Sequence, residues 1–337
     1  MSSSLQKSLI FKKKNLPIWF MRQAGRYLPE YQIIRKKKKN FINFCLNIKN
    51  ATKVSLQPIE RYNLDAAIVF SDILLILKAA GQNIKFKETI GPVLENYKPE
   101  VLYNLSNEDF IKKLKNVYKI IKNIRKKLPK EKSLIGFAGA PWTLLVYMIN
   151  KRSPKENRKL LVNLKKQEIL KILKRLENLV YIHCKEQILA GADVIQLFDS
   201  WSGLIDKKNL KQFCINPNKN IVKKIKKEFP GKGVVCFPKG IKKNINAFIR
   251  EVCPDGINLD YDINLNDLNL TNNVVFQGGL NPKFLLGSQQ RMFKEAKRYL
   301  DFFKNRPYIF NLGHGILPQT KPENVKKLVE FVRGYNL

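Results

Sequence analysis

Arginine is scarce in this chain: most of its 63 Lys and Arg residues are lysine, yet Arg22, Arg26 and Arg35 fall in one short window. Guanidinium is a planar fork of N–H donors that grips a carboxylate through two parallel hydrogen bonds, which an ammonium cannot match. The run from Pro17 to Glu30 opens with apolar residues and breaks at Arg22, the pattern of a short buried strand feeding a turn. It reads as a carboxylate clamp. Asp72 sits between the apolar runs Ile68–Phe70 and Ile73–Leu77. A carboxylate there is poorly solvated and suited to accept N–H bonds or to stabilise a developing cation; the same position also reads as a helix N-cap. His314 lies between Gly313 and Gly315, which permit close approach of a ligand or of backbone. It reads either as a site residue or as a packed histidine bonded to a carbonyl. Tyr147 lies on an apolar segment, where a tyrosine taken alone is more often a core residue with a satisfied hydroxyl. Ser200 has no G-x-S-x-G elbow around it, so a nucleophilic role is rejected. Trp19, Trp142 and Trp201 suit either the wall of a large flat ligand or the core.

The apolar runs show what must position these residues. Pro17–Met21, Ala66–Phe70, Leu134–Ala138, Val194–Phe198, Val234–Phe237, Gly256–Leu259, Val274–Phe276 and Tyr308–Leu312 are short and near-continuously apolar, as parallel strands buried on both faces are. Helical periodicity fills most intervals. Ser106-Asn-Glu-Asp109 and Thr320-Lys-Pro-Glu323 resemble capping boxes, and Ser153-Pro154 suits the start of a long helix ending near Gly191. Asn216–Phe229 stops at Pro230-Gly231, and Pro282–Phe303 follows the seventh strand. Gly81–Pro99 reads as an inserted hairpin. Strands alternating with helices in this number predict a (β/α)8 TIM barrel. A doubly wound sheet is the alternative, but Arg22-Gln-Ala-Gly-Arg26 is not its glycine-rich phosphate turn. We expect one barrel domain over residues 16–337, after an N-terminal tail, 1–15. In a barrel, function belongs to the loops after the strands. There lie Arg22 and Arg26, Asp72, Tyr147, Ser200, Lys239, Asp260 and His314.

Composition narrows the classes. Hydrophobic residues at 44% of 337 are ample for a core. No apolar run is long enough to span a bilayer, and the Ser- and Lys-rich first residues lack the apolar stretch of a signal peptide; we expect a soluble, cytoplasmic protein. Cys45, Cys184, Cys214, Cys236 and Cys253 form no C-x-x-C pair, against a disulfide framework or structural zinc. His183 and Cys184 are neighbours on one helix and cannot share a face, which argues against a metal pair. The net charge of +36 fits a nucleic-acid or membrane-surface binder, or attraction of a polyanionic substrate. It also fits the heavy use of Lys, Asn and Ile throughout, as an AT-rich coding sequence produces.

Met21-Arg-Gln-Ala-Gly-Arg-Tyr-Leu-Pro-Glu30, Phe70-Ser-Asp-Ile73, Gly136-Phe-Ala-Gly-Ala-Pro-Trp-Thr143, Phe276-Gln-Gly-Gly-Leu-Asn-Pro282 and Asn311-Leu-Gly-His-Gly315 together resemble the uroporphyrinogen decarboxylase family. The resemblance runs from the first strand to the last helix. It implies a (β/α)8 enzyme without cofactor or metal, commonly a homodimer, that converts uroporphyrinogen III to coproporphyrinogen III by removing four acetate carboxyl groups. By the same resemblance the run Arg22, Gln23, Ala24, Gly25, Arg26 contacts substrate, its arginines binding carboxylates and Ala24 contributing backbone. Arg35 matches a further carboxylate-binding arginine, and Tyr147, Ser200 and His314 match substrate contacts. Asp72 matches the carboxylate that binds the pyrrole N–H groups at the macrocycle centre. Asp72, Arg22 and Tyr147 are the catalytic candidates; Arg22, Tyr147 and His314 are candidates to position the proton, and the sequence leaves open which, if any, delivers it.

Two rivals remain. Zinc-dependent methyltransferases on this fold use a His-x-Cys pair, whereas His314 is followed by Gly315 and Ile316. A basic nucleic-acid binder would need a recognisable motif or a clustered patch, and the charge here is dispersed.

Overall fold

The computed structural model describes residues 2–38, 40–87, 90–154, 164–270 and 273–335. Helices α1 (Ser4–Leu9), α2 (Pro29–Lys36), α3 (Phe41–Leu46) and α4 (Ile48–Tyr62) precede strand β1 (Ala66–Ile68). Helix α5 (Leu75–Ala79), the hairpin of β2 (Ile84–Lys87) and β3 (Gly91–Leu94), α6 (Pro99–Asn104) and α7 (Asn107–Lys127) lead to β4 (Ser133–Gly139). Then follow α8 (Pro141–Asn150), α9 (Lys166–Leu189), β5 (Val194–Asp199), α10 (Asn216–Glu228), β6 (Gly233–Pro238), α11 (Ile245–Val252) and β7 (Gly256–Leu259). The chain ends with β8 (Val275–Gly278), α12 (Gln289–Phe303), β9 (Tyr308–Ile309) and α13 (Pro322–Arg333).

Seven strands form one curled parallel sheet in the order β1-β4-β5-β6-β7-β8-β9. The first of the eight expected strands, Pro17–Met21, is an extended stretch with a single parallel bridge, Ile18 to Phe310. It still closes the ring: Phe310 N–H donates to Pro17 O at 2.9 Å on one side, and Asp65 N–H to Ile18 O at 2.9 Å on the other. The missing ladder has a physical reason. Pro17 has no N–H to give. The N–H groups of Ile18, Phe20 and Met21 donate to the side chains of Asp65 (2.8 Å), Gln23 (3.0 Å) and Asn311 (3.0 Å). Side-chain acceptors replace strand carbonyls, so the ring is closed without a regular strand. The result is a (β/α)8 TIM barrel.

Three aspartates sit immediately before strands on the bottom rim. Each accepts an N–H from the element beside its own strand: Asp65 from Ile18 at 2.8 Å, Asp193 from Leu134 at 2.9 Å, Asp255 from Val234 at 2.9 Å. Each also meets a cation, Arg333, Arg125 and Lys226 respectively. The floor is closed by α1, whose Leu5 and Leu9 are fully buried among Trp19, Val194, Val235 and Ile309. Gly233 and Gly256 make room for it, since a Cβ at either would stand 2.8 Å from a Leu9 methyl. Burying each leucine contributes about 2 kcal/mol.

Above this floor runs a buried amide layer. Gln277 accepts from the Trp19 indole at 3.0 Å and donates to Asn258 at 2.7 Å and Gln196 at 3.0 Å. Trp19 and Trp142 are thus core residues, the latter stacked on Phe213 at 5.3 Å.

Helix starts match the sequence reading where a side chain caps. Ser106 accepts the Asp109 N–H at 3.0 Å and opens α7. The inserted hairpin is present as β2 and β3. Three starts differ. Thr320 is buried in the preceding turn and Lys321 is the N-cap, because Pro322 already supplies a first helical residue that needs no capping partner. Pro282–Leu286 is a 3₁₀ turn that breaks at the extended Gly287 before α12 begins. Ser153 turns its hydroxyl to Tyr147 OH at 3.2 Å, and α9 is described from Lys166 onward; residues 155–163 lie outside the described residues.

Candidate active site

The first turn is built to project Arg22. Gln23 is fully buried, and its side chain accepts the Phe20 N–H and donates to Ala66 O, both at 3.0 Å. Its own carbonyl accepts Tyr27 OH at 2.9 Å. These bonds hold Arg22 at φ 59°, the left-handed region that a non-glycine residue adopts only when its surroundings impose it. The side chain then lies along Gly315: a Cβ there would stand 2.3 Å from Arg22 Cδ. Arg22 keeps an exposed face while protein crowds its other sides, as a residue lining an open cleft does.

Four groups converge around this guanidinium. Burial depresses the Arg22 pKa first, then the charge of Arg26; Tyr147 and Asp72 oppose it. Asp72 follows β1 in a tight turn, where its Oδ1 accepts Leu74 N–H at 2.8 Å. Helix α5 begins at Leu75 with Leu74 as N-cap, so Asp72 forms an Asx-turn one step upstream of the helix. Burial raises its carboxyl to about 6, against the Leu74 N–H and the Arg22 charge. Tyr147, on α8, is kept protonated by burial and feels both Asp72 and Arg22. Its ring meets Trp201 edge-on at 6.0 Å. His314 follows β9; its Nδ1 accepts Gly315 N–H at 2.8 Å, which leaves the proton of the neutral ring on Nε2. Burial, Arg22 and Lys239 push its pKa down to about 4, so it is neutral at pH 7.

The other expected site residues divide. Arg26 is exposed next to Arg22, Ala24 is buried in the turn, and Gly25 passes close over Arg22 O, where a Cβ would stand at 3.1 Å. Ser200 follows Asp199 at the top of β5, half-buried. Gln23 holds the turn from inside instead of facing the cleft. Arg35 is directed to α3: it donates to Lys38 O, and its guanidinium lies over Phe41 at 5.8 Å and Phe44 at 6.0 Å. Trp201 is the one tryptophan of the three that is half-buried at the rim.

The structure adds a second acidic group. Asp260, after β7, accepts Gly240 N–H at 2.7 Å, and burial together with Asp262 raises it to about 6. Its position after a strand was the only signal in the sequence. Among the described residues, no three His, Cys, Asp or Glu side chains converge on a possible metal position. No helix among them is long and apolar enough to cross a membrane. Tyr118 OH lies 3.1 Å from His183 Nδ1, and burial pushes this histidine to about 3. It is a core contact.

A closed (β/α)8 barrel that gathers guanidinium groups, buried carboxylates and neutral donors in the loops after its strands has the arrangement of a barrel enzyme's site. Comparison with known proteins narrows the class. The family model described as "Uroporphyrinogen decarboxylase (URO-D)" matches residues 12–335. A uroporphyrinogen decarboxylase of Rickettsia felis is 43% identical over 323 residues, covering 95% of this chain and 93% of its own. One of Orientia tsutsugamushi is 41% identical over 340 residues, covering 100% of this chain and 99% of its own. The chain belongs to the uroporphyrinogen decarboxylase family. Among solved structures, a methyltransferase from Methanosarcina mazei superposes with a TM-score of 0.78 over 98% of this chain and 97% of its own, at 18% identity; this shared likeness is one of fold.

Proposed function

We propose that this cleft carries out the family's reaction, the decarboxylation of uroporphyrinogen in haem biosynthesis, with Arg22, Asp72 and Tyr147 at the reacting ring. The observation that carries the assignment of roles is a desolvated Asp72 within the field of the Arg22 charge. Uroporphyrinogen III has anionic arms around its edge and pyrrole N–H groups inside. Arg22 and Arg26 suit the arms, and Ala24 offers backbone to them. Asp72 suits the centre: one oxygen accepts Leu74 N–H, and the carboxylate can accept pyrrole N–H bonds. Ser200 and His314 complete the contacts, His314 as a neutral Nε2–H donor. Gln23 and Gly25 act by shaping the turn, and Arg35 by extending the cationic flank past Arg26.

The chemistry needs no external electron sink. A proton added to the pyrrole α-carbon next to the carbon that bears the acetate arm makes an iminium-like cation conjugated with that arm. The bond to the carboxylate carbon breaks, its electron pair moves into the ring, and CO2 leaves. A second proton on the exocyclic carbon forms the methyl group, and the ring carbon returns its proton. The balance is one proton taken up per CO2 released. An ionised Asp72 in a poorly solvated turn stabilises the cation at each stage, and Tyr147, Arg22 or His314 delivers the proton.

The barrel of residues 16–337 is the catalytic unit, with α1 of the 1–15 tail as its plug. It acts in the cytoplasm as a homodimer. The test is incubation with uroporphyrinogen III under reducing, dark, metal-free conditions, followed by chromatography of the hepta- to tetracarboxylate products. Folded protein that gives none of them sinks the assignment. Sedimentation equilibrium showing only the monomer sinks the dimer.

A further inference from the structure

The rim loops interlock through glycines on the side of the cleft that carries His314. A Cβ at Gly203 would stand 2.8 Å from Gly240 Cα, and one at Gly313 would stand 2.4 Å from Tyr261 N. The loops after β5 and β6, and those after β7 and β9, are therefore in direct backbone contact. Lys239 sits at the centre of this set. Its N–H donates to Asp199 O at 3.1 Å, and its carbonyl accepts Gly203 N–H and Ser202 OH, both at 2.9 Å. The next residue, Gly240, donates to Asp260 at 2.7 Å. In a chain whose lysines mostly lie on exposed helix faces, Lys239 is half-buried at a strand end.

We propose that Lys239 is a further substrate-positioning cation of this site, taking a carboxylate arm on the His314 side of the cleft, and that Asp260 and the Gly203–Gly240 contact hold it there. This rests on the proposed decarboxylation. The Lys239 charge acts on His314 together with that of Arg22, and it also acts on Asp260. The charges of Lys239 and Arg22 thus reach the imidazole from different loops. An ammonium binds a carboxylate as a point charge, without the directional fork of guanidinium. Such a contact tolerates the different arms that reach it as the macrocycle is re-bound after each decarboxylation. Asp260 supplies the opposite charge that lets an ammonium stay half-buried while the cleft is empty.

The test compares wild type with Lys239→Met, Lys239→Gln and Lys239→Arg, using uroporphyrinogen III and, separately, a purified heptacarboxylate intermediate. Melting curves identify the folded variants. Loss of one charge-assisted contact raises KM about tenfold for both substrates in the Met and Gln variants. The kcat stays within about threefold of wild type, because the contact is made equally in the ground and transition states. Lys239→Arg recovers most of the affinity. An unchanged KM in either folded neutral variant overturns the proposal, and so does a loss confined to kcat. A wild-type enzyme that forms no product overturns the decarboxylase reading instead, so the two failures are distinct.

Discussion

At the scale of single residues, Asp72 carries the sharpest consequences. Its folded carboxyl is raised from an ordinary 3.8 to about 6 by burial. The folded state therefore holds the proton more tightly than the unfolded chain does. Stability falls as pH rises from about 4 to about 6, and the full cost is present above pH 6. Asp72→Asn keeps an acceptor for Leu74 N–H and removes the buried charge. It should melt a few degrees higher than wild type at pH 7.5 while losing about 100-fold or more in kcat. Thermal melts and product chromatography on one preparation check both; near-normal turnover by a folded Asp72→Asn protein refutes the catalytic role. Wild-type kcat/KM should fall as pH drops through about 6, where Asp72 gains its proton. An acid limb centred near 4 would point to His314.

Gly315 is a residue whose role is decided entirely by its neighbour. Its missing side chain is the space occupied by Arg22 Cδ, Cγ and Nε. Gly315→Ala displaces the guanidinium by about an ångström, which costs roughly 100-fold in kcat/KM by misplacement alone. The arginine stem is flexible, so the melting temperature should move little. A Gly315→Ala enzyme of wild-type activity would mean that the Arg22 position is not critical.

At the scale of elements, the bottom rim separates stability from chemistry. Asp193 accepts Leu134 N–H, pairs with Arg125 at 2.8 Å, and approaches Lys232 at 3.5 Å. Asp193→Ala leaves a buried N–H and a partly buried guanidinium without their carboxylate, at about 2–4 kcal/mol. The urea midpoint should drop accordingly. The kcat of the remaining folded enzyme should be unchanged, since the site lies at the opposite end of the strands. The Asp-before-strand pattern, at Leu64-Asp65-Ala66, Ala192-Asp193-Val194 and Pro254-Asp255-Gly256, is easily passed over in a linear reading. Its meaning appears only when each strand lies beside the element whose N–H it binds.

For the whole molecule, the charge of +36 has a measurable consequence whatever its origin. The exposed lysines create a positive field that draws a polyanion toward the rim. The kcat/KM for uroporphyrinogen should fall about tenfold as ionic strength rises from about 10 mM to physiological salt, through KM more than kcat. Salt-independent kinetics would confine the electrostatics to the cleft itself.

Much of the barrel is determined by the sequence, because buried parallel strands need both faces apolar and their residues cluster without interruption. Val194–Phe198 and Gly256–Leu259 were legible for that reason. The arginine turn and Asp72 were legible because they interrupt such runs with charge. The closing stretch Pro17–Met21 was legible as apolar but not as irregular: its acceptors, Asp65, Gln23 and Asn311, include side chains from distant parts of the chain. The same holds for the inward turn of Gln23, the diversion of Arg35 onto Phe41 and Phe44, and the packing of Gly315 on Arg22. Sequence determines which residues carry charge at strand ends. Only the closed ring decides which of those charges share a cleft, because that depends on contacts between loops that are far apart along the chain.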